Sequence, residues 1–336
     1  MATSGTFQRV GVVGAGAWGT ALAITAHRAG RDTVLWARRG EVADAIARTR
    51  VNAGYLPGHV VDAAIAVTAD PAALTACGAV LLASPAQATR AIATLLAPSL
   101  RPGAPVVVCA KGIERTTGRG VADIATEALP GHPVALLSGP SFAEEVARGL
   151  PTAVTLACRD AALGEALARA LRTATFRPYW TDDVAGVALG GAVKNVLAIA
   201  CGIVDGKRLG DNARAALITR GFAEMARLGA ALGARLETMA GLAGLGDLVL
   251  TCGGRLSRNH ALGVAVGAGA RAADFLAGKT SVAEGFHTAP ALRELARARG
   301  VDMPICTAVA DVLHDGADVD ATIRALLARP LKGEGE

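Results

Sequence analysis

A single lysine interrupts a strongly apolar stretch of this 336-residue chain. Lys194 is surrounded by Val193, Val196, Leu197 and Ile199, and the spacing over residues 186–201 predicts a helix. A lysine so placed either reaches solvent from a helix edge or is partly buried and functional. Desolvation lowers the pKa of an amine and makes its neutral form accessible near neutral pH. A neutral amine is what a general base needs to take a proton from an alcohol. Gly190 and Gly191, just before it, would let a substrate or a second helix come close.

Three other stretches carry chemistry. In Gly241-Leu-Ala-Gly244-Leu-Gly246-Asp247, three glycines precede a carboxylate. Asp247 is either aimed into a site or caps a helix after a flexible turn. Ser257-Arg258-Asn259 precedes an apolar helical stretch. With Ser257 as N-cap, the free N–H groups and the Arg258 guanidinium would hold a phosphate; the alternative is an ordinary capped surface helix. Ser138-Gly139-Pro140-Ser141 follows an apolar run, and Ser141 has capping-box spacing to Glu144. That stretch also falls at the carboxyl end of a strand, where open α/β sheets bind ligands.

The elements that must position these groups begin at the N-terminus. Arg9–Val13 reads as a strand, residues 20–29 as a helix stopped by Gly30, and residues 33–37 as a second strand. Between strand and helix, Gly14-Ala-Gly16-Ala-Trp18-Gly19 matches the dinucleotide fingerprint. Gly14 permits the tight turn, Gly16 lets backbone approach a pyrophosphate, and Gly19 lets helix and strand pack closely. The phosphates would face the positive helix N-terminus. After the second strand, an acidic residue would select the ribose of NAD. This chain has Arg38 and Arg39, with Glu41 only later. Two guanidiniums suit a 2′-phosphate, so the reading is NADP(H), with NAD(H) accepted second. The alternative for the arginines is a solvated strand end.

Further apolar runs at residues 79–83, 105–110, 134–137 and 153–157 alternate with helical stretches or turns. They predict an α/β fold, a Rossmann-type mainly parallel sheet. Near Trp180 strand-like runs give way to alanine- and leucine-rich helical spacing, with Thr181-Asp182-Asp183 as a cap. The division is placed at residue 185: a dinucleotide-binding domain over 1–185 and an all-α substrate and catalytic domain over 186–330. The tail from Lys332 reads as disordered.

Composition narrows the function classes. The net charge of +5 comes without any Lys/Arg block that could track a nucleic-acid backbone. Six scattered cysteines form no Cys-x-x-Cys pair, and no His-Glu-x-x-His stretch exists, so neither a zinc site nor a disulfide framework is expected. No secretory signal is visible at residues 1–8. The apolar run over residues 189–204 contains Lys194 and is read as falling short of a membrane span. The protein is expected to be cytoplasmic.

Taken together these segments resemble the bacterial NAD(P)-dependent glycerol-3-phosphate dehydrogenase family over nearly the whole chain. The resemblance is carried by residues 14–23, Lys111-Gly-Ile-Glu114, residues 138–143, Leu189-Gly-Gly-Ala-Val-Lys-Asn195, residues 215–221, residues 241–251 and Ser257-Arg-Asn259. It implies reversible reduction of dihydroxyacetone phosphate to sn-glycerol 3-phosphate for glycerophospholipid synthesis, and it makes a homodimer plausible. By position, Lys194 matches the family's proton donor and acceptor. Lys111 matches a contact to both cofactor and substrate. Gly139, Ser141, Asp247, Ser257, Arg258 and Asn259 match the substrate pocket. Trp18, Arg38, Arg39, Ala143, Val282 and Glu284 match cofactor contacts, and Arg258 also lies near the cofactor. No metal is implied.

Two departures stand out. Ser141 replaces a frequent threonine, which keeps the hydroxyl. The loop Asp205-Gly-Lys-Arg-Leu-Gly-Asp211 carries Lys207 and Arg208 where relatives are often apolar, which leaves the behaviour of that loop open. Two competing readings remain: a two-domain ketoacid or hydroxyacid dehydrogenase acting on a carboxylate without phosphate, and a non-enzymatic dinucleotide sensor.

Overall fold

Apolar runs covered by helices on both faces become parallel strands. The computed structural model describes residues 7–254, 256–277 and 283–330. The N-terminal half contains β1 (Arg9–Val13), α1 (Ala17–Arg28), β2 (Asp32–Trp36), α2 (Gly40–Thr49), a hairpin of β3 (Val51–Asn52) and β4 (Leu56–Val60), and β5 (Ala66–Thr68). It continues with β6 (Ala79–Leu82), α3 (Thr89–Leu96), β7 (Val106–Val108), α4 (Val121–Ala128), β8 (Val134–Ser138), α5 (Ala143–Arg148), β9 (Thr152–Ala157), α6 (Ala161–Leu171) and β10 (Phe176–Thr181).

Eight of the strands form one sheet in the order β10-β9-β8-β7-β6-β1-β2-β5. Every pairing in it is parallel except β8 with β9. β1 lies between β2 and β6, so the chain winds away from it on both sides. That switch point opens a crevice at the carboxyl ends of the strands, next to Gly14. β6 and β7 are buried throughout, as continuous valine and leucine runs require.

The C-terminal half is helical: α7 (Val184–Gly206), α8 (Asp211–Ala231), α9 (Leu236–Met239), α10 (Asp247–Gly253), α11 (Arg258–Gly267), α12 (Ala272–Leu276), α13 (Glu284–Ala298), α14 (Pro304–His314) and α15 (Val319–Leu327). A π-helical turn, Leu242–Gly246, leads into α10. The Asp183 cap forms as read from the sequence: its Oδ1 accepts from Gly186 N at 2.8 Å. The second carboxylate oxygen accepts from Arg235 N at 2.9 Å, which ties the start of α7 to the segment before α9.

One expectation needs correction. With 23 residues, α7 is long and apolar enough to cross a membrane. Its length comes from a different demand: α8, α10, α11, α13 and α14 all pack around it, so its apolar residues form the axis of the helical half. The helix is buried within the fold.

Where α7 crosses α11 the two backbones touch. A Cβ on Gly202 would stand 2.1 Å from His260 O, and one on Gly263 would stand 2.1 Å from Ile199 O. Gly206 and Gly267 repeat the contact one turn on. Neither backbone can retreat without moving α7. Gly263→Ala should therefore lower the unfolding free energy by about 1–3 kcal/mol, the usual cost of overpacking. Gly253→Ala, where a Cβ would meet nothing within 4 Å, serves as control. Equal denaturation midpoints for the two variants would contradict the crossing as described.

Candidate active site

The glycine loop is shaped by three different constraints. Gly14 has φ of +106°, and a Cβ there would lie 2.8 Å from Ala83 O. A Cβ on Gly19 would lie 1.7 Å from Gly14 O, so only glycine lets α1 start this close to β1. Gly16 differs, since a Cβ there would meet nothing within 4 Å. Its bare backbone faces an open cleft of about 780 Å³. Trp18 Nε1 is buried beside it with no hydrogen-bond partner among the described residues.

Arg38 and Arg39 follow β2 at the mouth of the same cleft, both exposed. The β3–β4 hairpin forms the facing wall. Buried Asn52 holds that hairpin to the glycine loop, donating to Ala15 O at 2.9 Å and Thr20 Oγ1 at 2.8 Å. Its turn brings the Tyr55 hydroxyl within 3.3 Å of Arg39 Nη2.

At the other end of the cleft, Lys194 is 7% exposed. Its Nζ donates to Asp247 Oδ1 at 2.9 Å and to Thr251 Oγ1 at 2.8 Å. Lys111, from the segment after β7, donates to the other oxygen of Asp247 at 2.6 Å and to Gly139 O at 2.9 Å. One carboxylate thus joins two ammonium groups from opposite halves of the chain. Burial lowers the pKa of Lys194 to about 8, against the pull of Asp247 and with the push of Lys111. For Asp247 burial favours the neutral acid, but the two lysines outweigh it and hold the carboxyl below its usual range.

The start of α11 forms another wall. Ser257 caps the helix, its Oγ accepting from His260 N at 3.1 Å, as the sequence suggested. Arg258 and Asn259 line the cleft. Asn259 Nδ2 donates to Asn195 Oδ1 at 2.9 Å, and its Oδ1 accepts from Gly285 N at 2.9 Å. Asn195 in turn donates to Gly191 O at 3.2 Å and to Lys111 O at 3.4 Å. Glu284 Oε1 accepts from Ala86 N at 3.0 Å, which joins α13 to the segment after β6. Burial raises the pKa of Glu284 and lowers that of Arg258, and the attraction between the two opposes both shifts.

Most residues singled out from the sequence therefore share one cleft: Gly14, Gly16, Trp18, Arg38, Arg39, Lys111, Ser141, Ala143, Lys194, Ser257, Arg258, Asn259 and Glu284 all line it. Gly19 shapes the loop from behind. Gly139, at φ of +131°, offers its carbonyl to Lys111 and to Ser141 Oγ, the latter at 2.9 Å. Asp247 is 1% exposed and stands behind the two lysines. Val282 lies outside the described residues.

The capping box expected of Ser141 and Glu144 is not formed. α5 begins at Ala143 with Phe142 as its cap residue, and the Ser141 hydroxyl turns to Gly139 O. Sequence reasoning did not single out Thr251, Asn195 or Tyr55. Thr251 had a signal, since it lies four residues after Asp247 and hence on the same helix face. Asn195 had only its adjacency to Lys194, and Tyr55 had none.

Two family models match the chain: the NAD-dependent glycerol-3-phosphate dehydrogenase N-terminus over residues 9–164 and the corresponding C-terminus over residues 183–324. The chain is 58% identical to a glycerol-3-phosphate dehydrogenase (NAD(P)+) of Caulobacter vibrioides over 329 residues, 98% of this chain and 99% of the relative. A Rhodospirillum rubrum protein of the same name is 56% identical over 98% of this chain and 94% of its own. The solved structure of glycerol-3-phosphate dehydrogenase from Coxiella burnetii superposes with a TM-score of 0.92 at 37% identity, covering 96% of this chain and all of that one.

The buried charge cluster makes its own prediction. Asp247→Asn leaves two ammonium groups facing each other, which should lower stability by about 3 kcal/mol. Because Asp247 raises the pKa of Lys194, its loss should also move the Lys194 titration further below pH 8. NMR titration of ¹³Cε-labelled lysine reads this directly. An unmoved or raised Lys194 pKa would contradict the arrangement.

Proposed function

The chain belongs to the NAD-dependent glycerol-3-phosphate dehydrogenase family, and on that premise we propose how its residues divide the work. Residues 1–185 hold the nicotinamide cofactor and residues 186–330 supply the catalytic helix and the substrate pocket. The reaction is reversible reduction of dihydroxyacetone phosphate to sn-glycerol 3-phosphate, a product suited to glycerophospholipid synthesis. The single observation that carries this reading is a buried lysine amine on the cleft wall, held by Asp247 and Thr251. The six cysteines, all free and buried, suit the cytoplasm.

The residues present fit a dinucleotide. Gly16 offers bare backbone to the cleft, Gly14 and Gly19 admit the tight turn, and α1 points its N-terminus there. Trp18, Ala143 and Glu284 wall the same space, and Val282 is assigned with them from the family pattern. When bound, the reduced nicotinamide supplies the hydride that reaches the ketone carbon. Lys194, as ammonium, polarises the carbonyl and gives its proton to the forming alkoxide; in the reverse direction its neutral amine takes the alcohol proton. Lys111 adds a second positive charge near the same oxygen. Asp247 keeps both amines in place without itself lining the cleft. Arg258 and the α11 start at Ser257 and Asn259 hold the substrate phosphate. Gly139 and Ser141 bound the pocket from the β8 side.

Lys194→Met should lower turnover by about 10²-fold or more while cofactor affinity is kept. Measuring NADPH oxidation with dihydroxyacetone phosphate, and with 2-ketoacids beside it, checks the role and the substrate together. Near-normal turnover in the variant, or faster reduction of a ketoacid, would sink the reading.

Cofactor choice rests on Arg38 and Arg39 at the cleft mouth. Lost charge-assisted bonds to a 2′-phosphate correspond to roughly 10- to 100-fold in affinity. Arg38→Asp should weaken NADPH by that order and leave NADH little changed, as read by fluorescence titration. Equal affinity of the parent protein for the two would refute NADP(H) preference.

A further inference from the structure

The segment at residues 205–211 contains a carboxylate in an unfavourable place. Asp205 lies in the last turn of α7, where the helix dipole disfavours a negative charge. Two groups compensate it. Arg214 of α8 donates to its Oδ1 at 2.9 Å and to its Oδ2 at 3.1 Å. His260 Nε2 lies 2.8 Å from Oδ2, and since a carboxylate only accepts, that nitrogen is the donor. Lys207 takes no part; it pairs with Asp320 at 2.8 Å.

His260 is the third residue of α11, directly after Arg258 and Asn259. The α7–α11 crossing is built from glycine against backbone, and at the start of α11 Asn259 is tied to Asn195 of α7 and to Gly285 N, whereas Arg258 lines the cleft beside them. The Asp205–His260 bond supplies a directional tie at the end of that glycine stripe, one residue from the groups that face the cleft. A 100° turn per residue separates His260 from Asn259, so the same rotation that satisfies Asp205 sets where Arg258 points.

We propose that Asp205 and His260 are positioning residues for the phosphate end of the site. Their hydrogen bond is a second directional tie on the start of α11, beside the Asn259–Asn195 bond, and it sets the placement of Arg258. The proposal rests on the reading that the α11 start holds the substrate phosphate, and it gives residues outside the cleft a part in substrate affinity.

The test is a split between KM and kcat in the holoenzyme. His260→Phe and Asp205→Asn should each raise KM for dihydroxyacetone phosphate by about tenfold, the equivalent of one hydrogen bond to a charged group. Turnover at saturation and the Kd for NADPH should stay near parent values. His260→Arg, whose guanidinium can also donate to Asp205, should restore KM. A lowered Tm with unchanged KM in the first two variants would reduce the pair to a structural tie and overturn the proposal. So would a folded His260→Arg protein that fails to restore KM. Arg258→Ala run alongside separates the two layers. If its KM does not rise, the phosphate reading itself fails; if its KM rises and those of the Asp205 and His260 variants do not, the positioning proposal alone fails.

Discussion

The site depends on one buried carboxylate shared between two ammonium groups. Asp247 without partners would be costly in a protein interior, and so would either lysine. Together the three carry a net charge of +1, positioned at the cleft wall. The groups come from positions 111, 194 and 247, so the cluster forms only when the segment after β7, the middle of α7 and the start of α10 converge. Much of the local geometry serves that convergence. A Cβ on Gly190 would lie 2.6 Å from Ala243 O, and one on Gly244 would lie 1.9 Å from Met239 O. The glycines before Asp247 therefore let a tight π-helical turn press against α7 and deliver the carboxylate to Lys194.

The same constraint gives each half of the chain its task. The sheet ends supply bare backbone at Gly16 and the carbonyl of Gly139; the helical half supplies the buried amine and the capped start of α11. The hydrogen-bonded chain from Lys111 O through Asn195 and Asn259 to Gly285 N ties the two halves across the cleft floor.

What the sequence disclosed followed from local physics. The glycine loop, the central strands and the caps at Asp183 and Ser257 each depend on a few consecutive residues, and all stand where their patterns put them. The features that escaped depend on distant partners. β10 (Phe176–Thr181) shows in the sequence only as a change of texture, because arginine, proline and tyrosine break its apolar pattern. The β3–β4 hairpin is too short to signal itself, and its place by the cofactor loop depends on Asn52 meeting Ala15. The Ser141–Glu144 spacing is a capping pattern, but the Ser141 hydroxyl donates to the Gly139 carbonyl and α5 starts one residue too late for Ser141 to cap it. α7 is membrane-like in composition because it is the axis of a helical domain, a fact that only its neighbours reveal.

The central claim is that Lys194 is the proton donor in one direction and the acceptor in the other, with a pKa lowered by burial to about 8. The most direct measurement is kcat/KM against pH in both directions on the same preparation. Reduction needs the ammonium, so it should fall as pH rises through the Lys194 pKa. Oxidation of sn-glycerol 3-phosphate needs the neutral amine, so it should rise through the same pH. Mirror-image limbs meeting near pH 8 are the predicted result. Profiles that move in the same sense, or oxidation that shows no rise between pH 7 and 9, would contradict it.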